Sequence, residues 1–60
     1  MSRTNEIAHL RKIKQRFDVA KLVYLMSVHL GADVEQVMWN KTHAISIMND
    51  FKFYREGYGL

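Results

Sequence analysis

The segment that decides the fold lies in the middle of the chain, where residues 27–36 read SVHLGADVEQ. The chain has no proline, and its three glycines are Gly31, Gly57 and Gly59. Glycine adopts the left-handed conformation that ends many helices at little cost. Asp33 and Gln36 have the spacing of a capping box, which begins a helix. The segment therefore predicts that one helix ends at Gly31 and that another begins after Asp33.

On the N-terminal side of this segment, no helix breaker occurs between Glu6 and Leu30, and capping oxygens are available at Ser2, Thr4 and Asn5. We expect one long helix, or two helices broken near Asp18. Its predicted core row consists of Leu10, Ile13, Phe17, Ala20, Tyr24 and Val28. A second apolar row, roughly 100° or more around the helix, consists of Val19, Val23, Met26 and Leu30. Because a small helical domain cannot cover both rows, the second row predicts a homo-oligomer.

On the C-terminal side, the pattern predicts two more helices. Val34, Val37 and Met38 share one face of a short helix. Asn40-Lys41-Thr42 is interpreted as a turn in which Thr42 caps the next helix. The third helix extends to about residue 55, and its predicted core row is Ala44, Ile47, Met48, Phe51 and Tyr54. Residues 56–60 are expected to form a frayed tail. The overall prediction is a single all-α domain over residues 1–60, with a long N-terminal helix, a short middle helix and a C-terminal helix.

Composition excludes several classes of function. A chain of 60 residues without cysteine has no disulfide and no thiolate metal site. His9, His29 and His43 lack the spacing of metal ligands, and the acidic residues are scattered, so we expect no cofactor, no bound metal and no enzymatic activity. The longest apolar run is Leu22 to Met26, far shorter than the 18 or so residues of a membrane span. These features predict a cytoplasmic protein that acts by binding, without a membrane partner.

Charge and aromatic side chains indicate where binding could occur. The chain carries a formal charge of +3, and six of its nine basic residues lie in residues 1–21. Clustered cations attract acidic protein surfaces or nucleic acid. Aromatic side chains outside the predicted core faces are candidate contacts for a protein partner. The predicted partner-binding residues are Trp39, Phe53, Tyr54 and Tyr58, together with Arg11 and Lys14 of the basic segment.

A helix-turn-helix unit is the alternative hypothesis. Ser27 and Gly31 have the spacing of the small residue and the turn glycine in such units. Residues 34–41 would then form the recognition helix, and Gln36, Asn40 and Lys41 would contact bases or phosphates of DNA. This alternative predicts a small transcriptional regulator whose DNA binding weakens steeply with salt.

A resemblance to a known family favours the protein-binding hypothesis. The matching elements are Asp18-Val19-Ala20, Tyr24, Leu30-Gly31-Ala32-Asp33, Val37-Met38-Trp39, Thr42 and Ile45. This pattern, within residues 18–53, resembles the small tail assembly chaperones of tailed bacteriophages. The resemblance implies a non-catalytic viral protein of virion assembly that coats the tape-measure protein in the host cytoplasm. It also implies that Trp39 and Thr42 are motif positions, structural first and in contact with the partner second.

Overall fold

The computed structural model describes residues 3–60, which form two α-helices, α1 (Arg3–His29) and α2 (Val34–Tyr58), joined by a short turn. His9 near the start of α1 contacts Tyr58 at the end of α2, so the helices run antiparallel as a hairpin. The described residues measure 46 × 14 × 11 Å. The predicted all-α class is confirmed, whereas the predicted count of three helices is wrong.

The first helix is continuous and ends where the sequence predicts. Asp18 is exposed and does not break it. Gly31 has a φ of 72°, in the left-handed region. Its N–H donates to the carbonyl of Val28 at 3.2 Å, and the N–H of Ala32 donates to the carbonyl of Ser27 at 2.9 Å. These two bonds form a Schellman motif, which satisfies carbonyls at the end of α1 that would otherwise lack a donor.

The second helix begins after Asp33, but the predicted capping box does not form. Asp33 is the N-cap residue, and its carbonyl accepts a bond from the Val37 N–H at 3.0 Å. Its side chain makes no capping hydrogen bond. The amide of Gln36 instead donates to Oδ1 of Asn40 at 3.1 Å, one turn further along the helix.

The predicted turn at Asn40-Lys41-Thr42 is wrong, because all three residues lie inside α2. Neither glycine nor proline interrupts the chain here, and polar residues alone do not end a helix. Asn40 is buried and faces α1, so its side chain is used in packing. Thr42 is exposed in the helix interior rather than at a cap. The short and third predicted helices are therefore one continuous helix.

The end of α2 lies further along the chain than the sequence predicts. Residues 56–58, expected in a frayed tail, are helical. Gly59 then adopts a φ of 73°, and the N–H of Leu60 donates to the carbonyl of Arg55 at 3.1 Å. Both helices thus end in the same left-handed glycine motif.

The core is a single seam between the two helices. Ile13, Ala20, Ala44 and Ile47 form its buried cluster, and the half-buried rings of Phe17 and Phe51 pack against it. In both helices the least exposed positions recur at alternating intervals of three and four residues. On α1 they are Leu10, Ile13, Phe17, Ala20, Tyr24 and Ser27. On α2 they are Val37, Asn40, Ala44, Ile47 and Phe51. This average spacing of 3.5 residues is typical of coiled coils.

Five predicted core residues are exposed: Val28, Val34, Met38, Met48 and Tyr54. Val28 was predicted to follow Tyr24 in the core row after an interval of four residues. The seam instead continues three residues after Tyr24, at Ser27, which keeps its average spacing at 3.5 residues. On α2, the seam is fixed by Asn40, Ala44 and Ile47, which places Val34 and Met38 to one side of it. Of the predicted short-helix face, Val37 alone therefore lies in the seam.

Substitution of Gly31 by Ala tests the end of α1. Alanine in a left-handed conformation should lower the free energy of unfolding by about 1 kcal/mol or more. Gly57→Ala is the matched control, because Gly57 lies within α2 and an added Cβ there would meet nothing within 4 Å. The control should stabilise the protein by about 0.5–1 kcal/mol. Urea unfolding at one protein concentration measures the free energy of unfolding of both variants. A change of the same sign in both would contradict this account.

Thr42→Ala tests whether α2 is continuous. In a helix interior, alanine is preferred to threonine, so the variant should be more stable by about 0.5 kcal/mol. Were Thr42 the N-cap of a separate third helix, the same change would instead destabilise the protein by about 1 kcal/mol. Thermal unfolding followed by circular dichroism gives the sign, which decides between two helices and three.

Candidate protein-binding site

The half of the hairpin next to the turn exposes many large apolar side chains. They include Val19, Leu22, Val23, Leu25, Met26, Val28, Leu30, Val34, Met38 and Trp39. Only five apolar side chains are buried among the described residues. Two helices bury one face each, so the second apolar row of α1 stays outside, as the sequence analysis anticipated. Exposed apolar surface of this kind is the reason to consider this half as the candidate binding site.

A groove of about 620 Å³ runs between the helices on one side of this apolar half. Its apolar lining consists of Val19, Ala20, Val23, Trp39 and Ile47, and its polar lining of Lys12, Gln15, Arg16, Asn40 and His43. The two cations, Lys12 and Arg16, precede the apolar residues along α1, so they lie at the end of the groove nearer the chain termini. We call this feature the apolar groove.

Trp39 forms the rim of the apolar groove. Its ring stacks on the imidazole of His43, one helical turn away, with centroids 5.2 Å apart and an interplanar angle of 14°. The side chain nevertheless remains 63% exposed. Trp39 also borders a second hollow of about 490 Å³, which Asp33, Glu35 and Gln36 line. This acidic hollow lies at the turn, so Trp39 separates it from the apolar groove.

The end of the hairpin opposite the turn holds a separate aromatic cluster. Nδ1 of His9 lies 2.7 Å from the hydroxyl of Tyr58, within hydrogen-bond distance. The His9 ring also meets the ring of Tyr54 edge-on at 4.7 Å, and Tyr54 in turn contacts Phe53 at 5.4 Å. This cluster joins the start of α1 to the end of α2, so two of the predicted partner-binding aromatics, Tyr54 and Tyr58, have a role within the fold. Phe53 remains 70% exposed.

The structure does not bring the six predicted partner-binding residues together. Trp39 lies at the apolar groove, whereas Phe53, Tyr54 and Tyr58 lie at the other end of the hairpin. Arg11 and Lys14 are exposed but do not line the groove.

The apolar groove also includes Lys12, Arg16 and His43, which were not predicted as site residues. Lys12 and Arg16 extend the row of Val19 and Val23 at intervals of three and four residues, and that spacing was the available signal.

The three predicted DNA-contacting residues share no surface. Gln36 lines the acidic hollow. Asn40 is 6% exposed, because it packs in the seam between the helices. Lys41 is exposed one residue further along, about 100° around α2 from Asn40. An Asn40 side chain in this position cannot reach a base edge while the helices remain paired.

Two further features of the described residues concern metals and membranes. Within residues 3–60, no three His, Asp or Glu side chains gather where they could hold a metal ion. Over the same residues, neither helix has the length and apolar character required to cross a bilayer.

Comparison with known proteins gives no relative: no family model, no curated protein and no solved structure matches the chain.

Tyr58→Phe tests the cluster that closes the open end of the hairpin. Loss of the hydroxyl removes the contact with His9 and should lower the free energy of unfolding by about 1 kcal/mol. Tyr54→Phe is the matched control, because the contacts of Tyr54 with His9, Phe53 and Tyr58 are made between rings. Chemical denaturation of both variants should show a larger loss for Tyr58→Phe, and an equal loss would contradict the hydrogen bond.

Proposed function

We propose that this protein is a non-catalytic protein-binding hairpin that holds a helix of another polypeptide in its apolar groove. The observation that carries the proposal is the exposure of Trp39 at the rim of a groove with an apolar floor. Tryptophan is prominent among the residues that dominate binding energy at protein interfaces. A solvent-facing Trp39 stacked on His43 costs little to desolvate and is already held in one orientation.

The chemistry of the apolar groove favours a helical partner over a nucleic acid. Val19 and Val23 lie one turn apart on α1 and face Trp39 and Ile47 across the groove. An amphipathic helix laid between such rows buries its apolar face, as in other helix-in-groove complexes. Lys12 and Arg16 at one end would pair with acidic residues of that helix.

A role in virion assembly is the specific form of this proposal. It draws support from the likeness of residues 18–53 to tail assembly chaperones of tailed bacteriophages. The two motif positions, Trp39 and Thr42, are both exposed, so both can contact a partner. In this role the protein would bind along a long helical protein in the host cytoplasm before assembly. Its exposed apolar side chains would make the contacts with that protein.

Titration of dilute protein with an amphipathic helical peptide tests the proposal. The probe is a 20-residue peptide with Leu and Ala on one face and Glu on the other, and the readout is the emission of Trp39, the one tryptophan of the chain. Val23→Glu places a charge in the apolar groove and should weaken binding by at least about tenfold, which corresponds to 1.4 kcal/mol.

Leu22→Glu is the matched control, because Leu22 is similarly exposed on α1 but does not line the groove. It should bind the peptide like the natural chain. Equal affinity of all three proteins would contradict the proposal. Random duplex DNA is the second titrant, and an emission change that disappears with salt would favour the helix-turn-helix alternative instead.

A further inference from the structure

One face of the hairpin carries its charges and apolar side chains in a fixed order. Lys12 and Arg16 lie at the end toward the chain termini, the apolar floor of the groove follows, and Asp33 and Glu35 lie in the acidic hollow beyond Trp39. Trp39 borders both hollows, which places them on one continuous face. The order along this face is therefore basic, apolar and acidic.

A face with this order is complementary to itself. When two copies are placed antiparallel on a two-fold axis, the basic end of each meets the acidic end of the other, and the apolar middles meet at the axis. Symmetric dimers require such self-complementarity, because both subunits use the same patch. An unrelated partner could also carry charges that match the two ends of this face. The order of charges gives no particular reason to expect such a partner, whereas a second copy matches it without any further assumption.

We propose that the occupant of the apolar groove is a second copy of this chain, packed antiparallel to form a four-helix dimer. The proposal rests on the proposed function, since it names the helix that the groove holds. Four helices enclose a core that two cannot, which is why four-helix bundles are a common architecture.

The spacing along the hairpin fits this arrangement. Glu35 lies opposite the part of α1 near residue 28, since His9 lies opposite residues 54 to 58. At 1.5 Å per residue, Lys12 and Glu35 are then about 24 Å apart along the axis. A two-fold axis midway passes beside Val19 and Val23. It brings each Trp39 level with Arg16 of the other copy, where a guanidinium can stack on the indole.

The small core of the hairpin supplies an independent reason for a second copy. Five apolar side chains are buried among the described residues, and no described side chain is less than 2% exposed. Chains of this size that lack disulfides and metals commonly gain stability by association. A standard interface covers about 800 Å² of each partner, and the hairpin exposes 4952 Å². Such an interface would therefore cover about a sixth of the surface of each hairpin.

Engineered cysteines test the arrangement directly, because the chain has none of its own. We would mix Lys12→Cys with Glu35→Cys under mild oxidation and measure the rate at which the mixed disulfide forms. In one hairpin these positions are about 24 Å apart along the axis, too far for a disulfide, whose Cα atoms lie within about 7 Å. The antiparallel dimer brings them together between copies.

The mixed disulfide should form at least tenfold faster than the disulfide of either variant alone or of Leu22→Cys, whose position does not line the groove. A mixed rate no faster than that of Leu22→Cys would overturn the antiparallel arrangement. All three positions, 12, 22 and 35, are exposed, so loss of folding does not confuse the result.

Charge reversal provides the second test, in sedimentation equilibrium. Lys12→Glu with Arg16→Glu in one chain, and Asp33→Lys with Glu35→Lys in another, should each weaken dimerisation by at least tenfold. An equimolar mixture of the two should regain a dimer that contains one of each. Failure to regain it would overturn the proposal, as would a natural chain that stays monomeric at millimolar concentration.

The two proposals fail in different ways. A monomeric natural chain whose Trp39 still responds to the amphipathic peptide, with Val23→Glu losing that response, would overturn only the second copy as occupant. A chain that neither dimerises nor binds the peptide would overturn the proposed function as well.

Discussion

The whole structure depends on one seam, in which residues spaced alternately three and four apart on α1 pack against an equivalent row on α2. Because the chain has only these two helices, the seam is its only place to bury apolar side chains among the described residues. The left-handed turn at Gly31 brings the two rows face to face. Every other apolar residue lies outside the seam, and the exposed surface is therefore a consequence of the fold itself.

Asn40 gives the seam its least expected feature. A buried amide among apolar neighbours costs free energy unless its polar atoms are satisfied, and here Gln36 donates to Oδ1 from one turn earlier. A single polar residue in a coiled-coil seam commonly selects register at some cost in stability. In this hairpin it also fixes the rotation of α2, which places its neighbour Trp39 at the rim of the apolar groove.

Sequence reasoning succeeded where a local physical rule decides the conformation. Gly31 ended α1 and Asp33 preceded α2, because glycine in the left-handed region and an N-cap are local events. It failed at Asn40-Lys41-Thr42, where polar residues resembled a turn but belong to a helix. The role of Asn40 is set by packing against α1, which no local pattern reveals.

Part of the candidate site could likewise be predicted from the sequence, and part could not. The second apolar row of Val19 and Val23 was predicted to need a cover, since its periodicity is visible in the sequence. The sequence did not predict that Lys12, Arg16 and His43 line the groove, because their position depends on how far each helix is rotated about its axis in the pair. Phe53 and Tyr54 were assigned to a partner, whereas Tyr54 meets His9 within the fold.

The central claim is that the hairpin leaves the rim of the groove open to solvent until another helix covers it. The most direct measurement is the emission maximum of Trp39 over a dilution series of the natural chain, from millimolar to nanomolar. The account predicts blue-shifted emission in concentrated protein and a shift toward the red on dilution, with helix content retained at the start of that shift. Blue emission from a chain that sediments as a monomer would place Trp39 in the core and would contradict the account.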